Sequence, residues 1–426
     1  MVRVAVLGCG NVGGALVEMI EDRSAEIEAR TGISLEIAGV AVSDVARERK
    51  VGIARTLITT DAIGLATRDD VDVVVEVMGG IDPARSVVEA ALLEGRPVVT
   101  ANKALLAFAG GELAEIASAN HVDLLYEAAV ASAIPVVRPL RESLAGEHIE
   151  RVMGIVNGTT NFILTRMDED DEEYETALAE AQRLGLAERD PSADVGGDDA
   201  ASKAAILASL AFGCDVNGTD VHREGITGVR AVDVEFARKL GYVVKLLAIA
   251  ELLDGGPSIS VRVHPAMVPR THPLASVRGA FNAVFVEGDG CGELMFYGPG
   301  AGGAAAASAV LGDVIDAARN LSAGTFGPQP RRAPMEVWPR EELRSAFYMS
   351  VEVVDRPGVL ASVATVFGKN GVSIRVMEQV GLGSEARLIF LTHVAREGDV
   401  AATLVELGNL DVVDRVGGVL RVVGDE

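Results

Sequence analysis

The stretch Gly8-Cys9-Gly10-Asn11-Val12-Gly13 decides the predicted fold of this 426-residue chain. It follows the apolar run Val2–Leu7, which predicts a buried strand, and it opens a helical stretch. In such a turn Gly8 permits the sharp bend, Gly10 lets the backbone approach a pyrophosphate, and Gly13 lets the helix sit close to the strand. The pattern predicts a dinucleotide site. A tight strand–helix turn without a ligand is the alternative.

The sequence around this motif predicts a parallel sheet with helices on both faces. Four further apolar runs lack the alternation of a half-exposed strand, and helical stretches separate them. These runs are Leu35–Val42, Val71–Met78, Pro97–Thr100 and Val122–Tyr126. A Gly/Ala-rich helix near residues 298–316 is small enough to pack against the same sheet. We therefore predict an α/β, Rossmann-type dinucleotide-binding domain over residues 1–134, completed by about residues 298–320.

Composition excludes two classes of partner. Acidic residues outnumber basic ones by 62 to 38, which gives a formal net charge of −24. Because nucleic acids and anionic membrane surfaces attract basic faces, neither is expected as a partner. No apolar run reaches the roughly 18 residues of a membrane span. The longest candidate, Leu240–Leu253, contains Lys245 and is predicted to be a buried helix. Three scattered cysteines and an N-terminus without a leader pattern predict a cytoplasmic protein.

The rest of the chain predicts two more domains. Residues 135–297 mix helices and strands, and we predict an α+β domain for substrate binding, catalysis and dimerisation. The Pro/Gly/Arg-rich residues 321–344 are typical of a linker. The tail, 345–426, has the order strand, helix, strand, strand, helix, strand, which is the ferredoxin-like arrangement.

The end of the second predicted strand bears on which dinucleotide binds. Asp44 is suited to hydrogen-bond a ribose 2′-hydroxyl, which favours NAD. Ser43 and three nearby cations are suited instead to a 2′-phosphate, which favours NADP. These cations are Arg47, Arg49 and Lys50. Because three cations stand against one carboxylate, we predict NADP as the cofactor, with NAD as the alternative.

Two more predicted strands end in residues suited to a ligand. One ends in Gly79 and Gly80, and another in Asn102 and Lys103. Ligands of open α/β sheets bind outside the carboxyl ends of the strands, so we predict cofactor contacts at Gly79 and Lys103. For Lys103 the alternative is a surface lysine that begins a helix.

The segment Glu188–Lys203 carries the most chemical information. Five carboxylates fall within its first twelve residues and precede an apolar helix. Asp199 and Lys203 are four residues apart, so they share one helical face. An exposed ion pair is the plain alternative, but the apolar helix that follows must be buried, which favours a cleft. We predict that the surplus carboxylates bind a substrate ammonium group.

Glu127 is a candidate for a cation site. It opens a turn of small residues, 127–134, whose backbone carbonyls are able to join it around a monovalent cation. A buried glutamate hydrogen-bonded to backbone is the alternative. The six histidines show no metal-ligand spacing, and His264 and His272 are expected to be structural.

Together these motifs resemble the homoserine dehydrogenases that carry a C-terminal ACT domain. The resemblance covers nearly the whole chain. It rests on GCGNVG (8–13), VEVMGG (75–80), VTANKALL (99–106), YEAAVASAIPVV (126–137), GIVNGTTNFIL (154–164), GLAERDPSADVGGDDAASK (185–203) and YGPGAG (297–302). The acidic segment with its lysine is the most specific of these, and the glycine turn is the least.

The resemblance implies a reaction and its residues. Homoserine dehydrogenases transfer hydride between NAD(P)H and L-aspartate 4-semialdehyde, giving L-homoserine for threonine, methionine and isoleucine synthesis. On the family pattern Lys203 is the acid/base group at the substrate oxygen, with Asp199 beside it at the substrate hydroxyl. Lys103 matches a second lysine given that role, so the proton donor stays open between the two. Glu188 matches the acid that binds the amino-acid end, and Asp194 lies in the same loop.

The resemblance also implies further ligands. The positions that match cofactor contacts are Asn11, Val12, Gly185 and Gly302. The positions that match a sodium site are Glu127 and the carbonyls of Val130, Ser132 and Ile134. The turn Asp355–Leu360 resembles the first strand–helix turn of ACT domains, which pair side by side and bind amino acids. Threonine is the expected effector, and a homodimer or homotetramer the expected assembly.

Two other functions stay open. A semialdehyde dehydrogenase that forms an acyl phosphate needs a cysteine nucleophile, and neither Cys9 nor Cys214 is well placed for that role. A non-catalytic sensor of a dinucleotide and an amino acid is opposed by the pairing of Asp199 with Lys203.

Overall fold

The computed structural model describes residues 1–47, 49, 51–253, 257–327, 332–381 and 385–424, and the predicted cofactor residue Lys50 lies outside them. The strands are β1 (Val2–Leu7), β2 (Leu35–Ala41), β3 (Ile58–Thr59), β4 (Val73–Glu76), β5 (Val98–Thr100), β6 (Leu124–Leu125), β7 (Ile149–Ile155), β8 (His222–Arg223), β9 (Tyr242–Leu252), β10 (Ser258–Pro269), β11 (Phe281–Gly288), β12 (Gly292–Pro299), β13 (Glu336–Val337), β14 (Arg344–Val354), β15 (Ile374–Gly381), β16 (Glu385–Thr392), β17 (Ala395–Arg396) and β18 (Val413–Val422).

The helices are α1 (Asn11–Thr31), α2 (Ala62–Ala66), α3 (Ala84–Leu93), α4 (Lys103–Ala119), α5 (Gly158–Glu169), α6 (Tyr174–Arg183), α7 (Ser192–Val195), α8 (Asp198–Phe212), α9 (Ala231–Lys239), α10 (Gly303–Ala323), α11 (Val359–Lys369) and α12 (Glu397–Gly408). Within the described ranges, none of these combines the length and the apolarity that a membrane-crossing helix requires.

One compact unit contains the predicted dinucleotide fold. It comprises Met1–Val152, Ser202–Val221 and Asn282–Pro334. Its parallel sheet has the strand order β3-β2-β1-β4-β5-β6. The order reverses between β1 and β4, and ligands of such sheets bind at that switch point, outside the carboxyl ends of the strands. The prediction of a Rossmann-type fold is confirmed.

The two faces of this sheet bury separate apolar cores. One core contains Leu105 of α4 together with residues of α3. The other contains Leu16 of α1 and Val310 of α10. The Gly/Ala-rich helix therefore does return to the first sheet. Gly303 opens it so close to α1 that a Cβ there would lie 2.7 Å from the carbonyl oxygen of Asn11.

The second compact unit contains the tail. It comprises Met153–Ala201, His222–Phe281 and Met335–Glu426. β14, α11, β15, β16, α12 and β18 form the predicted βαββαβ order, which is confirmed, around a core that includes Phe347, Phe367 and Phe390. β18 also pairs in parallel with β10, with Arg421 opposite Ala266. The tail therefore continues a sheet begun by residues before the predicted linker.

Helix α9 is fastened to the tail by a buried acid. Asp233 is fully buried and accepts hydrogen bonds from the Tyr348 hydroxyl at 3.0 Å and the Ser350 hydroxyl at 3.2 Å. The backbone of β18 passes so close that a side chain at Gly418 would collide with the Asp233 carboxylate. The sheet of the tail is thus joined to α9 by polar contacts inside the protein, not only by the chain.

The helix predicted at Leu240–Leu253 is wrong, because these residues form β9. The strand pairs antiparallel with β10 along its length, and residues 243–250 are buried on both faces. A strand buried on both faces is continuously apolar, and its periodicity does not distinguish it from a buried helix. The β-branched residues Val243, Val244 and Ile249 were the signal for a strand.

Candidate active site

The first unit contains a candidate cofactor site, a cavity of about 880 Å³ beside the carboxyl ends of β1, β2 and β4. The predicted cofactor residues that line it are Gly8, Gly10, Asn11, Ser43, Asp44, Arg47, Arg49 and Gly79. Among the described residues, Gly303 lines it in place of the predicted Gly302, and Val12 packs against a core. Gly185 belongs to the other unit, where it follows α6. The volume suits a dinucleotide-sized ligand.

The three motif glycines have the geometry that a pyrophosphate site needs. Gly8 has φ +102°, and a Cβ there would lie 2.6 Å from the carbonyl oxygen of Val77. A Cβ at Gly13 would collide with the carbonyl oxygen of Gly8, whereas the space beside Gly10 is open. No side chain caps the start of α1. Its first N–H groups are therefore available to an anion at that end of the helix.

The loop after β2 is held by its own hydrogen bonds. Asp44 Oδ1 accepts from the backbone N–H of Ala46 at 2.8 Å. Arg49 donates to the carbonyl oxygen of Arg47 at 2.8 Å and to that of Asp44. The Arg49 side chain is therefore used to close the loop. The predicted 2′-phosphate ligands Ser43 and Arg47 also line the cavity, and the side chains of these two residues do not close the loop.

Glu76 links the ends of β4 and β5 and was missed in the sequence analysis. Fully buried, it accepts a hydrogen bond from the Thr100 hydroxyl at 2.6 Å. Asn102 donates to the carbonyl oxygen of Gly80 at 2.6 Å and caps α4, whose first residue is Lys103. The signal was a single acid inside an apolar strand, because a buried carboxylate requires partners.

The acidic segment is a second candidate site, and its contacts with Asn157 lie within the second unit. The Asn157 side-chain nitrogen donates to Asp194 Oδ1 at 2.7 Å and to Asp199 Oδ2 at 2.9 Å. Asn157 Oδ1 accepts from the backbone N–H of Thr160 at 2.8 Å, which fixes the orientation of the amide. Asn157 is only 5% exposed. One buried amide therefore holds two predicted site carboxylates together.

The other predicted residues of this segment lie in different environments. Glu188 is exposed on the loop after α6. Asp198 forms a surface ion pair with Arg223 at 2.5 Å. Lys203 is 9% exposed on α8, one helical turn after Asp199. The structure thus brings Asp194 and Asp199 together and buries Lys203, while Glu188 takes no part in the Asn157 contacts.

Asn157 is the main site residue that the sequence analysis did not assign. It lies in the quoted GIVNGTTNFIL stretch and is the N-cap of α5. An asparagine before a helix is ordinary, because its oxygen accepts a backbone N–H at the helix start. The second use of this side chain, through its nitrogen, depends on residues 37 and 42 positions away.

The carboxylate of Glu127 is occupied by backbone donors. Its two oxygens accept N–H bonds from Val136, Val137 and Arg138 at 2.7, 2.9 and 2.8 Å. A cation in this turn would therefore take the carbonyl of Glu127 and not its carboxylate. Ser132 has φ +57°, and its buried hydroxyl has no hydrogen-bond partner among the described residues. Among all residues that the structure describes, no group of three or more His, Cys, Asp or Glu side chains is arranged to hold a metal ion.

The cysteines lack the electrostatics of a nucleophile. Burial raises the pKa of Cys214 to about 11, although Arg332 opposes this shift. Burial also raises the pKa of Cys9, with Arg49 opposing. Because the thiolate is the reactive form, thiols held protonated at neutral pH argue against covalent acyl chemistry at either residue.

An open glycine turn at the switch point of a parallel sheet is how dinucleotide-dependent dehydrogenases hold their cofactor, and the chain is an NAD(P)-dependent oxidoreductase. Residues 8–127 match the NAD-binding domain of homoserine dehydrogenase, residues 135–315 match the homoserine dehydrogenase family proper, and residues 347–412 match the ACT domain. The chain belongs to the homoserine dehydrogenase family, and its reaction is the interconversion of L-aspartate 4-semialdehyde and L-homoserine.

Individual relatives match over nearly the full length. A homoserine dehydrogenase of Mycobacterium tuberculosis is 50% identical over 433 residues, which cover 99% of this chain and 98% of the relative. The crystal structure of a homoserine dehydrogenase from Thiobacillus denitrificans has a TM-score of 0.91 at 37% identity, covering 99% of this chain and 98% of that one. A hyperthermophilic archaeal homoserine dehydrogenase in complex with NADPH has a TM-score of 0.64 at 28% identity, covering 78% of this chain and 99% of that one.

Proposed function

We propose that Lys203 is the proton donor of the reaction and that Asp199 orients it. When bound, the nicotinamide supplies the hydride that reduces the aldehyde carbon. An ammonium group near the carbonyl oxygen stabilises the developing alkoxide and gives it a proton. The observation that carries this assignment is a buried lysine one turn from a carboxylate that Asn157 fixes in place. Lys103 is the alternative donor.

We propose that Glu188 and Asp194 bind the ammonium group of the substrate. Asp194 is held in one orientation by Asn157, which lowers the entropy cost of binding. Glu188 is exposed and reaches the ligand without such support. Homoserine oxidation followed at 340 nm, with NAD and NADP in parallel and with and without threonine, tests the proposed function. An absence of absorbance increase with both cofactors would contradict it.

The bridging amide yields a testable consequence. Asn157→Ala is expected to raise KM for homoserine about tenfold or more, because hydrogen bonds to charged groups contribute roughly 1.5–3 kcal/mol each. Steady-state kinetics with saturating cofactor measure the change. Asn161→Ala is the matched control, because Asn161 is a buried amide on the same helix whose described partners are backbone carbonyls and Lys245, not the carboxylates of the acidic segment. An equal rise of KM in both variants would mean that helix α5 has merely been loosened.

We propose NADP as the preferred cofactor. The support is that Ser43 and Arg47 line the cavity and that the archaeal relative was solved with NADPH. Arg47→Ala is expected to raise KM for NADPH about tenfold, since it removes a charged hydrogen bond to the 2′-phosphate, and to leave KM for NADH within twofold. Initial rates with both cofactors measure the ratio. An equal rise of KM for NADH would mean that Arg47 contacts a part of the dinucleotide that both cofactors share. A preference of the wild-type enzyme for NADH would favour Asp44 as a ligand of the ribose hydroxyl.

Four finer properties are also proposed. A sodium ion would be held by the carbonyls of Glu127, Val130, Ser132 and Ile134, supported by the left-handed turn and the unpaired Ser132 hydroxyl. Threonine is proposed as the amino-acid effector of the ACT domain, and a homodimer or homotetramer as the assembly.

A cytoplasmic location is also proposed, because the three cysteines of the protein are free thiols. A titration of activity with sodium tests the cation. Sedimentation of the purified enzyme tests the assembly, and cell fractionation tests the location.

A further inference from the structure

Arg421, near the end of β18, joins two carboxylates inside the second unit. Its side chain is only 4% exposed. Nε and Nη2 donate to the two oxygens of Glu397, at 2.8 and 2.7 Å. Nη2 also donates to Glu224 at 3.0 Å, and Nη1 to the other oxygen of Glu224. Glu397 begins α12 of the tail, whereas Glu224 follows β8, so one guanidinium links the tail to the residues that follow α8.

The cluster around Arg421 is nearly balanced in charge. Arg340 contacts Glu224 at 2.6 Å and Glu397 at 3.2 Å, which gives two cations for two carboxylates. His222 lies 3.4 Å from Glu224. Burial raises the pKa of Glu224, but the hydrogen bonds from His222 and Arg421 outweigh it and hold that pKa well below its usual value. Glu224 is therefore charged at neutral pH and remains bonded to Arg421.

The two residues after Glu224 are packed against the segment that carries Asp194. The backbone N–H of Ile226 donates to the carbonyl oxygen of Val195 at 2.8 Å. Gly225 lies so close to that carbonyl that any side chain would collide with it. Glu224 itself is tied to β10 through its N–H, which donates to Val263 at 2.8 Å. A displacement of the backbone at residues 224–226 would therefore displace Val195, the residue next to Asp194.

We propose that Arg421 and Glu224 are positioning residues for the substrate, through which the tail holds the segment 192–199 in its binding geometry. The proposal rests on the proposed role of Asp194 and extends it to a residue of the tail that touches no substrate. It also gives the tail a route to the substrate site: a ligand that shifts β18 changes the affinity for homoserine. By thermodynamic reciprocity, homoserine then changes the affinity for that ligand.

A positioning role differs from a purely stabilising one in its kinetic signature. Loss of the Arg421 contact leaves the chemistry intact and makes the loop less ordered, so KM for homoserine should change more than kcat. A general loss of stability would lower the amount of active enzyme and leave KM unaltered. The two residues should also act as one unit, so their effects are expected to be non-additive.

The experiment compares variants of the full-length enzyme. Arg421→Met is expected to raise KM for homoserine at least fivefold, with kcat within threefold and KM for the cofactor within twofold of wild type. Glu224→Gln is expected to raise KM similarly, and the double variant to be no worse than either single one. Arg387→Met is the matched control, because Arg387 pairs with Glu352 in the same tail sheet, and it should leave KM within twofold.

Several outcomes would overturn the proposal. An unchanged KM in a folded Arg421→Met enzyme would do so, as would additive effects in the double variant or an equal rise of KM in Arg387→Met. If Arg421→Met fails to fold, Glu224→Gln decides by the same readout, because it keeps the side-chain volume. Failure of the proposed role of Asp194 is recognised separately, since Asp194→Asn would then leave KM for homoserine unchanged.

Discussion

Lys203→Met is expected to lower kcat for homoserine oxidation by roughly 10²- to 10⁴-fold, the range that a general acid or base contributes. Methionine approximates the length of the lysine stem and suits its buried position, so the fold should be retained. Asp199 would keep its hydrogen bond from Asn157 in the variant. Affinity for NADPH, measured by fluorescence titration, should stay within threefold of wild type, which separates chemistry from cofactor binding.

Lys103→Met is the comparison that assigns the proton. Lys103 begins α4 beside the ends of β4 and β5, so its loss should affect cofactor binding more than the chemical step if Lys203 is the donor. The pH dependence of kcat gives an independent readout, because removing the true donor should flatten one limb of the profile. A Lys203→Met enzyme within tenfold of wild-type kcat, with Lys103→Met strongly impaired, would reverse the assignment.

Gly13→Ala is expected to destabilise the protein by roughly 3 kcal/mol and to raise KM for NADPH more than a hundredfold. The added methyl group would overlap the carbonyl oxygen of Gly8, which is backbone and has no rotamer to escape into. The helix must then move away from β1 and from the position where its N–H groups meet the pyrophosphate. Thermal unfolding and NADPH titration measure the two effects.

Gly14→Ala is the matched control for this prediction. The nearest atom to its added methyl group would be Val51 Cγ1, at 3.8 Å, an ordinary contact. Within a helix, alanine is favoured over glycine by about 1 kcal/mol, so this variant should be as stable as wild type or more so. Equal NADPH affinity in the two variants would show that close helix–strand packing at Gly13 is not required.

Sequence reasoning predicted the features that depend on local pattern. The glycine turn after β1, the apolar strands and the βαββαβ tail each follow from a short stretch with its own periodicity. β9 was misassigned because a strand buried on both faces loses the alternation on which that reasoning depends. The hydrogen bonds of Asn157 and of Arg421 with Glu224 were not predicted for a different reason, since they join residues 37 to 197 positions apart. A local sequence pattern does not indicate contacts between residues so far apart in the chain.

The site itself divides in the same way. Gly8, Gly10 and Gly79, which line the cavity, were predicted because backbone geometry demands glycine or a strand end at those positions. Asp199 and Lys203 were predicted as site residues because a four-residue spacing places them on one helical face, and that role stays a prediction. Of the five acids from Glu188 to Asp199, however, the sequence did not indicate which would be bridged by a common donor. That distinction depends on where α5 lies in the folded unit.

The buried acid that fastens α9 to the tail bears on how the enzyme can be dissected and how its lineage can change. A chain that ended before residue 341 would leave Asp233 with its Arg230 contacts but without its two hydroxyl donors, and Glu224 with Arg340 but without Arg421. Each lost hydrogen bond to a charged group contributes roughly 1.5–3 kcal/mol, and the edge of β10 that pairs with β18 would also be left open. The ACT-domain tail is therefore not an accessory that can be lost by a single deletion without cost. Its loss would require these contacts to be replaced, so the tail and the residues it contacts are constrained to change together.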